Sequence, residues 1–356
     1  MPERPSPGPE RRICFIADNL LGPQDEGIRK FASSLLAAWP GGWEVLALSP
    51  RASGPHNGVI PLKTNRLLLS WRLRKRLRQF RPGIVCYIPS SSATLFGLLR
   101  SRVLKLYWPP AKVVLVALQP HPYGWLGRTL APRLAPDRVL VQSHRIRQAL
   151  GGLGCPVGLL PSGVDTQKFS PVSAERKAAL RAKYGLDPAS FTVLHVGHLS
   201  RLRNIEFLPQ VRQALGCQVL LVASSLHSQN RGLLDPLREG GVIALDRYLP
   251  HIEEVYQLSD CYLFPVLSEQ ASIEIPLSVL EAMACNLPVV ATRYGGLPDL
   301  FQEGQGLFFA TNGSDMMSAL ERARAENSCR TRDKVAPYSW QAVAQRVIAL
   351  AQGEDR

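Results

Sequence analysis

Short apolar runs alternate along this chain with amphipathic stretches of helical period. The runs are rich in Val, Ile and Leu and are typical of strands in parallel sheets that are covered on both faces. In the first half they predict strands at Arg12 to Ala17, Trp43 to Leu48, Gly83 to Ile88, Val113 to Leu118 and Arg138 to Val141, with a helix from about Gly27 to Trp39. In the second half they predict strands at Thr192 to Val196, Gln218 to Ala223, Val242 to Ala244, Cys261 to Phe264 and Pro288 to Ala291. This order predicts an α/β fold with two doubly wound parallel sheets.

A segment rich in Pro, Gly and Ser separates the two rounds. It reads LPSGVDTQKFSP from Leu160 and is interpreted as the connection between domains. At 356 residues the chain exceeds the size that one hydrophobic core usually holds. We therefore expect two Rossmann-like domains, residues 1–168 and 169–356, that face each other across a cleft, and the last helix can pack back on the first domain. Open parallel sheets bind ligands at the carboxyl ends of their strands, so both ligand edges should line that cleft.

The stretch from Pro265 to Pro298 predicts a loop, a helix, a buried strand and a glycine turn. Pro276 suits the first helical position, because its fixed φ is helical and its missing N–H would have no partner there. Asn286 can adopt the left-handed conformation that ends a helix, and Pro288 prevents continuation. The predicted helix is therefore about three turns long, on the order of 3.6 residues each.

This unit would bring a helix start close to a flexible turn. The free N–H groups near Pro276 and Leu277 and the positive end of the helix dipole favour an anion such as a diphosphate. Gly295 and Gly296 would allow the backbone to approach the same ligand closely. Glu281 lies one turn into the helix among apolar neighbours, where its carboxylate can accept hydrogen bonds from two vicinal hydroxyls. The stretch therefore predicts a pocket for phosphate and ribose.

The residues LEAMACNLPVVATRYGGLPD from Leu280 resemble the C-terminal signature of GT-B glycosyltransferases of the family 4, or group 1, type. Weaker similarity covers VLVQS at 139–143, LPSGVD at 160–165 and LHVGHLSRLRN at 194–204. The resemblance implies a GT-B fold and a retaining transfer of a hexosyl group from a nucleotide diphosphate sugar to a hydroxyl acceptor, such as a lipid-linked or cell-envelope glycan. It implies that neither a metal ion nor another cofactor is needed.

The resemblance also implies which cations would bind the donor diphosphate. In the family an Arg and a Lys of the segment GRLxxxKG do so. In this chain His198 stands at the Arg position and Arg203 at the Lys position, with Arg201 as an additional cation between them. A neutral His198 would donate one hydrogen bond rather than a charged pair. The alternative is that Arg201 and Arg203 only project into solvent.

The chain departs from the family at the first glutamate of the E-x7-E motif, which contacts the donor sugar. Eight positions before Glu281 stands Ile273. Glu274 is one residue away, whereas Glu269 is reached by counting forward from Pro265. Both alternatives stay open, with a slight preference for Glu274 because it lies immediately before the helix start.

Two features of the first half match the family more weakly. Gly22 and Gly27 lie in the loop after the first strand and resemble the glycine loop of the family, although an ordinary turn is the alternative. These glycines form no G-x-G-x-x-G fingerprint, which argues against a nicotinamide enzyme. His121, in LQPHPY, matches the position of a histidine near the acceptor and the transferred sugar. A structural role for His121 is the alternative.

Charge is distributed unevenly along the chain. Residues 1–170 hold 24 Lys and Arg against 8 Asp and Glu, whereas residues 171–356 hold 18 against 20. Between Glu44 and Asp137 there are 15 basic residues and no acidic one. The run Arg72, Arg74, Lys75, Arg76, Arg78 and Arg81 interleaves with Leu69, Leu73, Leu77 and Phe80, which predicts an amphipathic basic helix near Trp71. This helix either only packs on its own domain in solvent or also faces an anionic membrane. Nucleic acid is less favoured because no aromatic-basic module accompanies the charge.

The cysteines and the first dozen residues bear on the expected cell compartment, and alternative functions also remain. Seven scattered cysteines without a C-x-x-C pair predict reduced thiols and no zinc site. The polar, proline-rich first dozen residues predict neither a secretory signal nor a membrane span, so a cytoplasmic protein is expected, with peripheral attachment to the inner face of the membrane as a further hypothesis. The competing hypotheses are a non-catalytic sugar-nucleotide-binding or scaffold protein on the same fold and, less favoured, an epimerase or a phosphorylase.

Overall fold

The computed structural model describes residues 8–18, 20, 26–50, 58–223 and 232–354. The chain divides into two compact units. The first unit runs to Ser162 and also includes the residues from Trp340 onward, and the second unit is Gly163–Ser339. The division therefore falls inside the segment LPSGVDTQKFSP, a few residues before residue 168, and the last helix belongs to the first unit. Gly22 of the predicted glycine loop lies outside the described residues.

The first unit is a parallel sheet of seven strands with helices on both faces. In chain order its elements are β1 (Arg12–Ala17), α1 (Gly27–Ala37), β2 (Glu44–Ser49), β3 (Val59–Pro61), α2 (Trp71–Phe80), β4 (Ile84–Ile88), α3 (Leu95–Tyr107), β5 (Lys112–Ala117), α4 (Trp125–Leu134), β6 (Arg138–Val141), α5 (His144–Gly151) and β7 (Val157–Leu159). The strand order is β3-β2-β1-β4-β5-β6-β7. The order reverses direction between β1 and β4, which is the point where open parallel sheets bind ligands.

The second unit repeats this plan with six strands. In chain order its elements are α6 (Ala174–Lys183), β8 (Thr192–Gly197), α7 (Leu208–Leu215), β9 (Gln218–Ala223), α8 (Leu234–Glu239), β10 (Ile243–Leu245), α9 (Glu253–Gln257), β11 (Cys261–Phe264), α10 (Leu277–Ala284), β12 (Val289–Thr292), α11 (Leu297–Leu300), β13 (Leu307–Ala310), α12 (Gly313–Arg324) and α13 (Thr331–Val335). The final helix, α14 (Trp340–Gln352), packs on α1 and β5 of the first unit. The strand order β10-β9-β8-β11-β12-β13 reverses between β8 and β11.

Both faces of the second sheet are buried, which explains the continuous apolar runs. In β11, Tyr262 and Phe264 join one hydrophobic cluster while Cys261 and Leu263 join another on the opposite face. Neighbouring strands alternate in the same way, because successive side chains of a strand point to opposite faces. The prediction of doubly wound parallel sheets is therefore confirmed for both units.

Several local predictions need correction. The edge strands β3, β7 and β13 were not predicted. Pro276 is not the first residue of α10 but its N-cap, with an extended ψ of 125°, and α10 has eight residues, which is nearer two turns than three. Asn286 does adopt the left-handed conformation, with φ 57°. The predicted basic helix is α2, but Leu69 lies before it and is half-exposed, so it is not part of the buried stripe.

Three findings bear on the chemistry that the sequence leaves open. All seven cysteines are free thiols, and six of them are buried. Within the described ranges, no helix is both long enough and apolar enough to cross a bilayer. The same ranges contain no cluster of three His, Cys, Asp or Glu side chains arranged to hold a metal ion.

Candidate functional site

Three loops of the second unit meet at the carboxyl edge of its sheet. They follow β8, β11 and β12, which are adjacent in the strand order. The loop after β8 contains a short 3-10 helix, Arg201–Arg203. The loop after β11 leads into α10, and the loop after β12 contains the glycine pair. Their convergence is a consequence of the parallel sheet, because the carboxyl ends of parallel strands lie at one edge.

Arg203 is a buried cation at this edge. Its side chain is only 7% exposed, and it packs so tightly on the backbone at Gly197 that a Cβ there would overlap the guanidinium. Among the described residues, no carboxylate lies within ion-pair distance of Arg203, and its Nε has no hydrogen-bond partner. Residues 224–231, which lie outside the described ranges, contain no Asp or Glu.

Burial of this charge is unfavourable. It lowers the pKa of Arg203, while the nearby phenols of Tyr262 and Tyr294 act in the opposite direction. A buried guanidinium normally has a carboxylate or several hydrogen-bond acceptors, because removal of an ion from water costs several kcal/mol, on the order of the pair energy itself. Arg203 is therefore a buried charge without an ionic partner among the described residues.

His195 lies within β8, close enough to Arg203 to feel its charge. Its side chain is fully buried, and its Nδ1 is 2.9 Å from the Leu263 carbonyl oxygen. Burial lowers the pKa of His195 to about 4, so the ring is neutral near pH 7. Its Nε2 has no hydrogen-bond partner among the described residues. No sequence pattern pointed to this group, since a single histidine in an apolar strand has no distinguishing spacing.

The glycine pair after β12 lies directly against the segment that precedes α10. The N–H of Gly296 donates to the carbonyl oxygen of Glu274 at 2.9 Å. Gly295 has a φ of 52°, and a Cβ at this position would overlap the same carbonyl oxygen. Only glycine fits this close contact in a left-handed conformation. The structure therefore brings Glu274, the start of α10 at Pro276 and the glycine turn together, as the sequence predicted.

Tyr294 fixes the loop between β11 and α10. Its hydroxyl accepts a hydrogen bond from the Ser272 N–H at 3.0 Å and lies 2.9 and 3.0 Å from the carbonyl oxygens of Ser272 and Glu269. Burial raises the pKa of Tyr294 to about 12, so this hydroxyl stays protonated and can donate. The side chain of Glu269 is exposed, whereas that of Glu274 is 2% exposed. Of the two candidates for the first glutamate, only Glu274 is thus buried beside the glycine turn.

Glu281 is buried within α10 and is 4% exposed. The hydroxyl of Tyr256 donates to its Oε2 at 3.0 Å. Burial first, and then the Glu281 carboxylate, raise the pKa of Tyr256 well above its ordinary value. Tyr256 therefore orients one carboxylate oxygen. No sequence signal pointed to Tyr256 as this partner.

The other predicted residues lie elsewhere. Arg201 is 75% exposed and pairs with Glu206 at 3.4 Å, so it is placed in solvent, as the alternative reading of the sequence had it. His198 is half-buried in the loop after β8. In the first unit Gly27 begins α1, and His121 is exposed after β5 with its ring 5.5 Å from that of Tyr123. Partial burial lowers the pKa of His121.

Residues 190–325 match the family model of the group 1 glycosyl transferases. This range includes β8, the 3-10 helix of Arg203, α10 and the glycine turn. Over this range the chain is similar to the group 1 glycosyl transferases. The recognition of this family from the sequence is confirmed, while the narrower family 4 assignment stays a prediction.

Two curated relatives and one solved structure illustrate the similarity. The chain is 26% identical over 321 residues to the sulfoquinovosyl transferase SQD2 of Arabidopsis thaliana, covering 82% of this chain and 60% of that protein. It is 26% identical over 215 residues to a GDP-mannose-dependent monoacylated alpha-(1-6)-phosphatidylinositol monomannoside mannosyltransferase of Corynebacterium glutamicum, covering 55% of this chain and 56% of that protein. The matches thus span little more than half the length of these relatives.

The structural comparison supports the fold. The Anabaena protein HepE in complex with UDP-glucose superposes with a TM-score of 0.72 at 17% identity, and the match covers 96% of this chain and 99% of that chain. At this identity the likeness concerns the fold alone. Together with the two parallel sheets, it confirms that this chain has the predicted GT-B class of fold.

Proposed function

We propose that this protein is a retaining glycosyltransferase that moves a hexosyl group from a nucleotide diphosphate sugar to a hydroxyl acceptor. The observation that carries the proposal is the buried guanidinium of Arg203, which has no carboxylate partner among the described residues. It lies where the strand order reverses, in the loop after β8. An anion bound there would supply the charge that the ligand-free edge lacks, and a diphosphate is the anion expected in a group 1 glycosyl transferase.

Each residue of the edge has a role in this proposal. Arg203, the start of α10 and the Gly295-Gly296 turn would bind the two phosphates, and His198 would add a hydrogen bond. Glu281, oriented by Tyr256, would accept the hydrogen bonds of the ribose hydroxyls. Glu274 would contact the donor sugar from its position beside the glycine turn.

The proposed chemistry depends on charge that develops during the reaction. As the bond between sugar and diphosphate breaks, negative charge grows on the leaving diphosphate and positive charge on the sugar ring. Groups that are already in place at the diphosphate, Arg203 above all, stabilise that state more than the ground state. Since the protein's own cation and amides perform this task, we propose that neither a metal ion nor a further cofactor takes part.

The named relatives support the substrate classes. One relative is named for GDP-mannose as donor and a phosphatidylinositol mannoside as acceptor, and the HepE structure contains UDP-glucose. We propose a nucleotide sugar as the donor and a lipid-linked or other envelope glycan as the acceptor, with His121 of the first unit near the acceptor, while Gly27 stays a predicted donor contact. A cytoplasmic location stays a prediction.

Nucleotide titration tests the proposal directly. UDP, GDP and ADP are titrated into the full chain and into Arg203→Met and Arg201→Met variants, with calorimetry as the measurement. We expect one of the three nucleotides to bind, and we expect Arg203→Met to weaken it by about 10- to 150-fold, the range for loss of a charge-assisted hydrogen bond. Arg201→Met is the matched control, because it removes the same charge from an exposed position two residues away, and it should change the affinity by less than about threefold.

Turnover separates an enzyme from a binding protein. A panel of sugar nucleotides is tested for release of nucleoside diphosphate. We expect release from the donor whose nucleotide binds, and we expect the Arg203→Met variant to lose this activity. Nucleotide binding that depends on Arg203 without release from any donor would favour the scaffold function. Equal effects of the two arginine variants would overturn the assignment of the diphosphate site.

A further inference from the structure

Exposed hydrophobic side chains are concentrated in one part of the first unit. Eleven large hydrophobic residues are exposed among the described residues, and seven of them lie between Leu69 and Leu130. The same segment lies within the stretch between Glu44 and Asp137, which has 15 basic residues and no acidic one. Exposed apolar surface and a local excess of basic residues therefore coincide, which is unusual for a face that meets only water.

The helices that carry six of these seven residues lie on one face of the sheet. Along the strand order, the connections from β3 to β4, from β4 to β5 and from β5 to β6 all run in the same direction. Right-handed crossovers therefore place α2, α3 and α4 on one face, and α1, whose connection runs in the opposite direction, on the other. The contacts agree, since α2 packs on α3 and α3 on α4, while α1 packs on α14. The exposed side chains of α2, α3 and α4 are called the basic face here.

Two leucines of α2 are buried in the core, whereas the tryptophan at its start and its polar residues are exposed. Leu73 and Leu77 are in the core, whereas Trp71 is 70% exposed. Lys75 lies over the Trp71 ring at 5.3 Å from its centroid. Arg76 is exposed, and for the whole of α2 the described residues include no acidic ion-pair partner.

α4 contributes apolar side chains to the same face. Trp125 is 76% exposed, Leu126 53% and Leu130 41%, while Gly127 and Ala131 form the buried side of the helix. Arg128 lies beside them and is exposed. An indole on each of two helices, flanked by Arg and Lys, is the combination that favours the boundary between lipid headgroups and acyl chains.

We propose that the basic face docks the protein on an anionic lipid bilayer. Lys and Arg of α2 and α4 would lie among anionic headgroups, and Trp71 and Trp125 would enter the headgroup region. Positive charge that has no acidic partner among the described residues is complementary to such a surface. Nucleic acid would also attract the charge, but exposed leucines on α4 have no role on a phosphate backbone. The inference goes beyond the proposed sugar transfer, because docking needs no donor site.

Vesicle sedimentation of the full chain tests the docking. Vesicles of phosphatidylcholine alone are compared with vesicles that contain phosphatidylglycerol as the anionic lipid. We expect binding to the anionic vesicles and its loss at high salt, because screening shortens the reach of the headgroup charge. The double variant Lys75→Glu/Arg76→Glu should reduce the partition coefficient by about 30-fold or more, since each basic residue near the surface contributes about a fivefold effect.

Two further variants make the result specific. Arg212→Glu/Arg330→Glu changes the charge equally at two exposed positions of the second unit and should leave partitioning within about twofold. Trp125→Ala should reduce it by about tenfold without a change in charge. No binding of the wild-type chain to anionic vesicles, equal losses in the two double variants, or binding of duplex DNA in preference to vesicles would overturn the proposal. Nucleotide affinity measured on the same variants should be unchanged, so failure here leaves the donor site untouched.

Discussion

The two units have the same pattern of strand order, but they differ in whether the buried charges at the carboxyl edge of the sheet are paired. In both units the order of strands reverses beside the first strand, between β1 and β4 in one and between β8 and β11 in the other. In the first unit the charges at this point neutralise each other. In the second unit a buried cation has no ionic partner among the described residues. One fold thus holds an edge at which the buried charges are paired and an edge at which a buried cation has no ionic partner among the described residues.

In the first unit the paired charges at the carboxyl edge of the sheet centre on Asp18, which follows β1 and is 4% exposed. It accepts hydrogen bonds from the N–H and hydroxyl of Ser90 at 3.1 and 2.7 Å. The guanidinium of Arg100 lies 3.7 Å away and also donates to the Tyr87 hydroxyl at 3.2 Å. The charge of Asp18 is therefore satisfied within the unit.

The outer surfaces show the reverse contrast. In the second unit the basic residues of α6 pair with acidic ones, since Lys177 and Arg181 contact Asp260 and Lys183 contacts Glu254. In the first unit the basic residues of α2 have no acidic partner among the described residues. The comparison teaches that net charge alone says little about function. The position of a charged side chain that has no ion-pair partner is more informative about function.

The largest effect is expected from two arginine substitutions, one in each unit, which test the comparison between the units. Arg100→Met should lower the free energy of unfolding of the ligand-free chain by about 3 kcal/mol or more, because it leaves buried Asp18 without its cation. Arg203→Met should leave it unchanged or raise it, since an uncompensated buried charge is replaced by an apolar side chain. Calorimetric unfolding of both variants measures this difference. A loss with Arg203→Met as large as that with Arg100→Met would mean that Arg203 is structural.

The pH dependence of stability should report His195. Its pKa is about 4 in the folded chain and 6.5 as the ordinary value, so the unfolded state binds more protons between these two pH values. The free energy of unfolding should therefore fall by about 3 kcal/mol as the pH falls from 6.5 to 4, with no contribution above that range. His195→Gln, which can still donate to the Leu263 carbonyl, should remove this part of the pH dependence. Parallel curves for variant and wild type would contradict a neutral buried imidazole.

Substitution of Glu281 should weaken the binding only of nucleotides whose ribose carries hydroxyls. Glu281→Gln should weaken the nucleoside diphosphate that binds by about 30-fold, through loss of hydrogen bonds to a charged acceptor. The 2′,3′-dideoxy form of the same nucleotide should bind wild type and variant with similar affinity, because it has no hydroxyls for Glu281 to contact. An equal loss for both nucleotides would place Glu281 away from the ribose. Tyr256→Phe should have a smaller effect, since it removes only the orienting hydrogen bond.

The smallest expected difference concerns the two candidate glutamates. Glu274→Gln should lower kcat/KM for the donor by about tenfold, because its side chain is buried beside the glycine turn, and Glu269→Gln by less than about twofold, because its side chain is exposed. Steady-state kinetics with the donor identified by the nucleotide panel measures both. A larger loss with Glu269→Gln would assign the sugar contact to Glu269.

Much of the fold could be predicted from local pattern. The strands Arg12–Ala17, Gln218–Ala223 and Cys261–Phe264 were predicted with their observed bounds, because buried parallel strands are continuous apolar runs between breakers. The missed strands β3, β7 and β13 have only three or four residues. Such short segments contain too few positions for a period, and pairing with an already formed neighbour decides that they are strands.

The sequence by itself determined the alternation of strands and helices, the family, and the helix with its glycine turn, because these depend on residues that are close along the chain. Only the tertiary structure separated Arg201 from Arg203. These identical side chains lie two residues apart, yet one is exposed beside Glu206 and the other is buried against Gly197 without an ionic partner among the described residues. The difference arises from packing between strands that are distant in sequence, which sets the local dielectric and the available partners, and no local pattern records either.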